Sequence, residues 1–458
     1  VMNVVSHSIA NIFKRLLVVL LLSALGTREL SASNFLGLGI ALAGLLVYTH
    51  GKIGADQQSC KYVKGIKETN EDLKFQSLKE VTELNGRFSQ IIEAETDPEM
   101  KNFLSRRLVD HPEDTDKRSK TLTTNKEIVE EAQRILVNLM EDLLGKARHV
   151  MLIDIPVQEN KGDPAIAAGE VLLLEKLNKT IVFHCETHYC ETAPALKTAS
   201  EISQKYLKDD LVILMHGGGN IVGYAFEDRI RRKYIEAFPE RQCILFSQSI
   251  WLHEGYSSNL EFARETYSNR SNLVILLRDQ QSLEIAKNNF RGIKLILAPD
   301  LAFCIGMIPR QMPPLYDIVW LRREDSEKSS FTFPKIPKNI TFDVGEWLKW
   351  RTNTGRQTME TVFLVAAEGF QFLQRGRIVV TERLHGHILS TLLNIPHVII
   401  DNPPYLKLSS FHKTWTQGLS NTVLVSNGSL ALDAALELLR RYQNSLPSLG
   451  YRDMLAVT

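Results

Sequence analysis

The residues best suited to chemistry lie in the segment 382–387, directly after an apolar run typical of a buried strand. Arg383 and His385 precede a helical pattern, so both are expected at a helix N-terminus, where free N–H groups favour an anion. A histidine in that position can donate a proton near neutral pH. His385 and His387 do not predict a zinc site, because no cysteine or carboxylate partner has usable spacing. The pattern predicts an anion site with a proton donor and no metal.

Two further strand ends carry charged side chains. Arg278 follows the apolar run 273–277, and such an arginine suits bidentate binding of a carboxylate or phosphate. Pairing of Arg278 with the neighbouring Asp279 is about equally expected. Asp300 follows another strand-like run. Gly162 and Asp163 begin a predicted helix with a proline in its first turn, which indicates either a seat for an anion or an ordinary capped turn.

A second turn after a predicted strand contains three consecutive glycines. Gly217, Gly218 and Gly219 allow the main chain to approach a ligand, and Asn220 is predicted to cap the following helix. The turn lacks the spacing of a dinucleotide fingerprint and the Lys-Ser/Thr pair of a phosphate loop. A nucleotide cofactor is therefore not predicted.

The composition excludes several classes of protein. The chain has 458 residues with 54 Lys and Arg against 53 Asp and Glu, so no basic field predicts nucleic acid as a partner. A hydrophobic fraction of 44% is ordinary for a globular protein. Four sequons for N-glycosylation suggest a lumen, and their asparagines are Asn178, Asn269, Asn339 and Asn427.

The five cysteines form no metal-binding pattern. Cys185 and Cys190 could pair in an oxidising compartment. An odd total, with two members on predicted buried strands, favours isolated structural thiols instead. The five are Cys60, Cys185, Cys190, Cys243 and Cys304.

From residue 148 onward, short Val/Ile/Leu-rich runs alternate with helical patterns. Near-continuous apolar strands are typical of parallel sheets covered on both faces, so the predicted class is α/β. A proline-rich break at 308–314 divides the strands into two sets. We predict two Rossmann-like domains, 148–310 and 311–458, with ligands in the cleft between them at the carboxyl ends of the strands. Residues 56–147 are predicted to form a helical linker whose last helix follows Thr124 and packs onto the next domain.

The first fifty residues are the most apolar part of the chain. The runs 7–25 and 35–49 are each barely long enough to cross a bilayer, and we predict a membrane hairpin within 1–55. Both runs resemble the last two helices of plastid-type phosphate translocators, in which a Lys-Arg pair matching Lys14 and Arg15 binds the substrate phosphate. Two helices cannot form an alternating-access site, so this segment is expected to act as an anchor.

Taken together, five segments resemble the polysaccharide pyruvyl transferase family: GDPAIAA (162–168), HGGGNIVG (216–223), LLRDQQS (276–282), PDLAF (299–303) and ERLHGHILSTLLNIPHVII (382–400). The resemblance implies a glycosyltransferase-B-like fold, phosphoenolpyruvate as donor, no other cofactor, no metal, and a pyruvate ketal on a galactose-type sugar of a glycan or polysaccharide. The chain departs from the family in Gly386, often alanine or serine in relatives, and in the added imidazole of His387. Residues 401–407 follow the family pattern only loosely.

The resemblance also implies roles. Arg278 and Arg383 are expected to bind the donor's carboxylate and phosphate, and His385 to protonate its enol carbon. Asp163, Asp300 or Glu382 is expected to be the base, and the sequence does not choose among them. The implied substrate-binding residues are Gly162, Asp163, Gly217, Gly218, Gly219, Asn220, Asp300, Glu382 and Leu384.

Two alternatives from other classes remain. One is a nucleotide-sugar glycosyltransferase of the same architecture, and the other is a membrane phosphate carrier with an inactive soluble domain. The sequons and the resemblance favour a Golgi membrane with a lumenal catalytic domain, and a plastid membrane is the alternative.

Overall fold

The computed structural model describes residues 122–156, 159–252, 257–325, 327–350, 359–401 and 406–450. The chain divides into two compact units, Val1–Lys117 and Arg118–Thr458, and all the described residues belong to the second. The predicted membrane hairpin and most of the predicted linker therefore lie outside the described residues. Within the described ranges, no helix is both long and apolar enough to cross a membrane.

The first sheet contains seven strands, and every pairing between them is parallel. Their order is β2-β1-β3-β5-β6-β7, with β4 continuing the line of β3 along β5. All five side chains of β3 and all eight of β5 are buried, as expected for strands covered on both faces. The strands are β1 (His149–Ile155), β2 (Thr180–Glu186), β3 (Leu211–Met215), β4 (Gly218–Ile221), β5 (Cys243–Ile250), β6 (Leu273–Leu277) and β7 (Lys294–Leu297).

Helices connect these strands. The first one begins at a capping box, in which the Thr124 side chain accepts from Glu127 N–H while the Glu127 carboxylate accepts from Thr124 N–H, as the sequence predicts for a helix after Thr124. The helices are α1 (Asn125–Leu144), α2 (Gly162–Lys176), α3 (Thr187–Cys190), α4 (Ala193–Ser203), α5 (Ala225–Ala237), α6 (Ser257–Tyr267) and α7 (Gln280–Asn289), with 3₁₀ turns at Lys208–Asp210 and Leu301–Ile305.

The second sheet has five parallel strands in the order β12-β11-β10-β8-β9. They are β8 (Tyr316–Leu321), β9 (Phe342–Gly345), β10 (Gly376–Thr381), β11 (His397–Ile400) and β12 (Thr422–Val425). The accompanying helices are α8 (Met359–Gln374), α9 (Leu384–Leu392), α10 (Lys407–Phe411) and α11 (Gly428–Arg441), with a 3₁₀ turn at Trp347–Lys349 and a π-helical turn at His412–Thr416. The prediction of an α/β fold with parallel sheets is confirmed.

Helix α2 is apolar on all sides because it lies between the two halves of the unit. Its residues Ala165, Ile166 and Leu174 are fully buried in a core that also contains side chains of both sheets. The helix packs against α8 and the turn Leu301–Ile305. The approach to that turn requires Gly169, since a Cβ there would lie 1.9 Å from the Leu301 carbonyl oxygen. One continuous core therefore fixes the two halves relative to each other.

The strand orders place one switch point in each sheet, between β1 and β3 in the first and between β8 and β10 in the second. At a switch point the connections on either side run to opposite faces, which opens a crevice at the carboxyl ends of the strands. The segments that begin α2, follow β3 and begin α9 lie at these crevices. They contain most of the predicted site residues.

Two expectations about local structure are wrong. Asn220 does not cap a helix, because residues 218–221 form β4 and α5 begins only at Ala225. The strands β4 and β12 were not predicted. Cys185 and Cys190 form a disulfide and are not isolated thiols, since α3 turns the chain back after β2 and brings their Cα atoms within 5.2 Å. Among the described residues, Cys243 and Cys304 are free thiols.

Candidate active site

Three predicted residues form one chain of contacts at the carboxyl ends of strands from both sheets. Arg278 follows β6, Asp300 follows β7, and His385 lies in the first turn of α9 after β10. Arg278 Nη1 donates to Asp300 Oδ2 at 2.8 Å, and His385 Nε2 lies 3.5 Å from the same oxygen. All three side chains are buried. The structure thus brings an arginine and a histidine from opposite halves onto one carboxylate.

The alternative partner for Arg278 is excluded by this geometry. Asp279 accepts from the Ser282 N–H at 2.9 Å and thereby caps α7. Arg278 Nε instead donates to Ser249 Oγ at 2.8 Å, and Ser249 Oγ donates to Asp279. The guanidinium is therefore held toward Asp300 and away from its sequence neighbour.

The carboxylate of Asp300 is strongly biased toward its ionised form. Burial raises its pKa, but hydrogen bonding and charge attraction from His385, together with the charge of Arg278, more than offset this and hold the pKa well below its usual range. The Ala302 N–H also donates to Asp300 Oδ1 at 2.9 Å. An anion that is so well stabilised can orient and support a positively charged imidazole, but it is a weak proton acceptor.

Gly162 forms the floor beneath the imidazole of His385. A Cβ on Gly162 would lie 2.2 Å from His385 Nδ1 and 2.6 Å from Cγ, far inside van der Waals contact. Glycine at the start of α2 is therefore required by the close approach of the His385 ring from the opposite half. The family-like segment beginning at Gly162 is explained by this contact.

We expect Gly162→Ala to lower kcat by about 100-fold, because the methyl group must displace the imidazole by an ångström or more. Steady-state kinetics would measure this effect. Gly223→Ala is the matched control, since a Cβ at Gly223 meets nothing within 4 Å. Equal activity of the two variants would contradict the assigned position of His385.

The positively charged groups of Arg278 and Lys407 both lie close to Gly219 in the glycine turn. A Cβ on Gly219 would lie 3.0 Å from Arg278 Nη2 and 3.9 Å from Lys407 Nζ. Lys407 Nζ donates to Glu327 Oε1 at 2.6 Å, and Arg323 Nη1 donates to Glu327 Oε2 at 2.5 Å. Burial lowers the pKa of Lys407, and the charge of Arg278 acts in the same direction, while Glu327 opposes it.

Sequence reasoning missed Lys407, Glu327 and Arg323 as site residues. Lys407 belongs to the segment that follows the family pattern loosely, and the other two lie in a charged loop directly after β8. Arg323 and Glu327 follow the carboxyl end of a predicted strand, and this position was the signal that could have identified them. Residues 402–405 lie outside the described part of the chain.

A carboxylate of α2 holds the glycine turn in place. Glu170 Oε1 accepts from Gly217 N–H at 2.9 Å, and the same carboxylate lies 3.0 Å from His216 Nδ1. Burial would lower the pKa of His216, but the charge and hydrogen bond of Glu170 outweigh it and raise the pKa. Gly218 has a φ of 133°, which few other residues adopt, so the turn needs glycine there. An acid in the middle of the apolar sequence of α2 was the signal that could have identified Glu170.

Arg383 is engaged by two acidic residues. Its Nε and Nη2 donate to both oxygens of Glu346 at 3.1 and 2.6 Å, and Nη2 also donates to Asp325 at 3.0 Å. Glu346, which precedes a 3₁₀ turn, and Asp325, which follows β8, were not predicted. Arg383 therefore connects the start of α9 to two loops of its own half.

The remaining predicted residues lie around this centre. Glu382 accepts from Ser329 N–H at 3.0 Å and lies 3.6 Å from Arg322, apart from the His385 cluster. Asn220 accepts from Arg231, and Leu384 belongs to the apolar core. Asp163 is half-buried at the start of α2, where it accepts from Asn160 Nδ2 at 2.8 Å, and its Oδ1 would lie 3.9 Å from a Cβ on Gly218.

No group of three or more His, Cys, Asp or Glu within the described ranges is arranged to hold a metal ion. A cavity of about 630 Å³ lies at the opposite edge of the first sheet, near the N-terminal ends of β3, β5 and β6. Its lining includes Leu144, Pro239 and Val274, and it contains none of the predicted site residues. The chemistry is therefore assigned to the strand-end cleft and not to this cavity.

Comparisons with known proteins place the chain in a family. The sequence pattern of the family described as "Polysaccharide pyruvyl transferase" matches residues 160–404, more than half of the chain. "Pyruvyl transferase 1" of Schizosaccharomyces pombe is 32% identical over 310 residues, which cover 63% of this chain and 76% of that protein. "General stress protein 30" of Bacillus subtilis is 26% identical over 294 residues, or 61% and 81% of the two chains. The chain therefore belongs to the polysaccharide pyruvyl transferase family and is a transferase acting on polysaccharide.

Proposed function

We propose that the chain transfers the enolpyruvyl carbons of phosphoenolpyruvate onto two hydroxyls of one galactose-type sugar in a glycan or polysaccharide, forming a ketal. The observation that carries this proposal is the His385–Asp300–Arg278 chain, which joins a proton donor to an anion-binding arginine across two halves. In the proposed arrangement, which is glycosyltransferase-B-like, donor and acceptor occupy the cleft at the strand ends.

The donor is a small, highly charged anion, and the cations around Gly219 suit it. Because Gly219 has no side chain, Arg278 Nη2 and Lys407 Nζ face a common space next to main-chain atoms. A bound phosphate or carboxylate there would offset the mutual repulsion between the buried Arg278 and the half-buried Lys407. The arginine offers a planar fork and the lysine a point charge, which together match an anion with two different charged groups.

The reaction then needs one proton donor and one acceptor. His385 protonates C3 of the enol, and C2 becomes an oxocarbenium-like centre. A sugar hydroxyl adds to C2 and releases its proton, the C2–O bond to phosphate breaks, and the second hydroxyl closes the ring. Two hydroxyl protons are lost, one replacing the proton taken by C3 and the other leaving with phosphate. Asp300 stabilises the protonated imidazole and does not itself accept the proton.

Asp163 is our candidate for the base that accepts the hydroxyl proton. It is half-buried at the start of α2, beside the glycine turn. Asp300 is paired with Arg278 and held ionised, which makes it a weak base. Glu382 is bonded to Ser329 N–H and lies apart from the imidazole cluster.

The test is incubation with phosphoenolpyruvate and a panel of galactosides, with phosphate release and ketal formation followed together. We expect both to appear in equal amounts. Thermal shift with UDP- and GDP-sugars forms the second arm, because a nucleotide-sugar glycosyltransferase would be stabilised by them and not by phosphoenolpyruvate. Sugar transfer from a nucleotide donor, with no ketal from phosphoenolpyruvate, would refute the proposal.

Arg383→Lys is expected to weaken donor binding and to lower the free energy of unfolding by about 2 kcal/mol. A lysine keeps the charge but cannot donate to both oxygens of Glu346 and to Asp325 at once. Calorimetric titration with phosphoenolpyruvate and denaturant unfolding would measure the two effects. Arg229→Lys, at an exposed arginine on α5, is the matched control. Unchanged stability together with unchanged donor affinity would show that Arg383 has neither role.

A further inference from the structure

The four sequons differ in where the fold places them. Asn178, Asn269 and Asn339 have exposed side chains, whereas Asn427 is half-buried. Asn178 and Asn269 follow the ends of α2 and α6 in the left-handed conformation, with φ of 53° and 58°. Asparagine is one of the few residues that adopt this conformation readily. The need for a left-handed residue after each helix is therefore enough to account for asparagine at both positions.

The helix caps do not explain the hydroxyl residues two positions later. Thr180 begins β2 with an exposed side chain, and Ser271 is exposed in the turn before β6. No packing demand for a hydroxyl is evident at either exposed position. In the third exposed sequon, that of Asn339, the hydroxyl of Thr341 has a structural role, because Thr341 Oγ1 donates to Asp317 at 2.7 Å.

Each of the three exposed sequons lies at the edge of its own sheet that is opposite the cleft. Asn178 precedes β2, Asn269 precedes β6 and Asn339 precedes β9, so each lies at the N-terminal end of a strand. The strands of each sheet are parallel, and the catalytic residues follow their carboxyl ends. A large substituent at these asparagines would therefore point away from the cleft.

Asn427 has the opposite placement. It follows β12, at the carboxyl-end edge of the second sheet, and its Oδ1 accepts from Leu430 N–H at 3.0 Å to cap α11. The next residue, Gly428, lies so close to Phe331 that a Cβ there would be 2.3 Å from the ring. The side chain is thus fixed against its own helix in a tightly packed corner.

An independent observation concerns the redox environment. Cys185 and Cys190 form a buried disulfide between the end of β2 and α3. Disulfides of this kind persist in oxidising compartments such as the secretory lumen and are rare in the cytosol. N-glycosylation of sequons takes place in the same secretory compartments.

We propose that the catalytic unit faces a secretory lumen and carries N-linked glycans at Asn178, Asn269 and Asn339, while Asn427 stays unmodified. In each modification the side-chain Nδ2 forms a bond to the anomeric carbon of an oligosaccharide carried on a polyprenyl pyrophosphate. The bond between that carbon and the pyrophosphate oxygen breaks, and the lipid pyrophosphate leaves with the amide proton. The glycans lie at the N-terminal edges of the two sheets, opposite the cleft, and leave the substrate path open.

The experiment is glycosidase treatment of the full chain expressed in a eukaryotic secretory host, read by gel mobility and glycopeptide mass. We expect three glycans, with Asn178→Asp, Asn269→Asp and Asn339→Asp each removing one mobility step. Aspartate tolerates the left-handed conformation, so these variants keep the caps while losing the acceptor amide. The triple variant should show no shift after treatment.

A paired substitution separates sequon loss from misfolding. Thr180→Ala destroys the sequon of Asn178 and should remove one step in gel mobility. Thr180→Ser keeps the sequon and should retain that mobility step. The absence of any shift in the unmodified sequence would overturn the proposal, and so would a glycan found on Asn427. Neither readout depends on pyruvyl transfer, so this test is independent of the proposed reaction.

Discussion

Replacing His385 by alanine is expected to lower kcat by about 100- to 10,000-fold, the usual contribution of a positioned acid or base. The imidazole lies over Gly162 and 3.5 Å from the ionised Asp300, and in the proposed mechanism it supplies the proton for C3. Alanine removes the donor without adding bulk to the cleft. The donor KM should change much less than kcat, because Arg278 and Lys407 still face the anion.

Coupled detection of released phosphate measures this loss, and circular dichroism checks that the fold is retained. His188→Ala is the matched control, since His188 is an exposed histidine on α3 and lies outside the His385–Asp300–Arg278 chain of contacts. It should keep full activity. Near-normal turnover of the His385→Ala variant would remove the histidine from the mechanism.

Much of the architecture follows from local patterns in the sequence. Runs such as LVILM at β3 and LVILL at β6 have the uninterrupted apolar character of strands buried on both faces, and both were predicted. The beginning of α1 was equally predictable, because Thr124 and Glu127 form a capping box. The His385 cluster was partly predictable, since parallel strands place their carboxyl ends at one edge.

The partners of the charged residues could not be read from the sequence. Arg278 is adjacent to one acid, Asp279, but pairs with Asp300, which is 22 positions away. Arg383 pairs with Glu346, which is separated from it by 37 positions and lies before a short 3₁₀ turn with no clear pattern. Such pairings depend on loop conformations, and a single sequence gives little information about those.

Local rules failed where tertiary contacts decided the conformation. Asparagine is a common helix-capping residue, which is why Asn220 was predicted to cap a helix. The glycine turn instead packs against β5, where Gln248 Nε2 donates to the His216 carbonyl at 2.8 Å. The main chain therefore continues as β4. The disulfide depends on the one-turn helix α3, which is too short to give a periodic signal.

His387, an addition relative to the family pattern, is part of a buried chain of hydrogen bonds. His397 Nδ1 lies 2.7 Å from the Ile395 carbonyl, which can only accept, so that nitrogen carries the proton. In the neutral ring His397 Nε2 then accepts from His387 Nδ1 at 2.6 Å, and His387 Nε2 accepts from Thr416 at 2.8 Å. Thr416 Oγ1 in turn lies 2.9 Å from His412 Nδ1. With all three rings neutral, each of these contacts can be a hydrogen bond.

This chain of hydrogen bonds connects α9, which carries His385, to the segment that carries Lys407. His387 lies on α9 two residues after His385, and Thr416 ends the π-helical turn that follows α10, where Lys407 is located. The same turn carries Trp415, whose Nε1 donates to the Arg278 carbonyl at 2.7 Å. Protonation of the chain would therefore disturb both sides of the cleft.

We expect the free energy of unfolding to fall as the pH drops from about 6.5 to about 4. Burial lowers the pKa of His397 to about 4 and that of His387 well below its usual value. The unfolded chain gains protons below pH 6.5 that the folded chain cannot bind, so acid favours unfolding, and nothing is lost above that range. The shift of His397 alone corresponds to about 3 kcal/mol at pH 4.

Denaturant unfolding at a series of pH values measures this profile. His397→Gln should flatten it, because an amide can still donate to the Ile395 carbonyl but does not titrate. His188→Ala is the control, since His188 is exposed on α3 and lies outside this chain of hydrogen bonds. A pH-independent stability between 4 and 6.5 in the unmodified sequence would contradict the neutral hydrogen-bond chain. Because His387 lies on α9 two residues after His385, we expect activity to fall together with stability on the acid side.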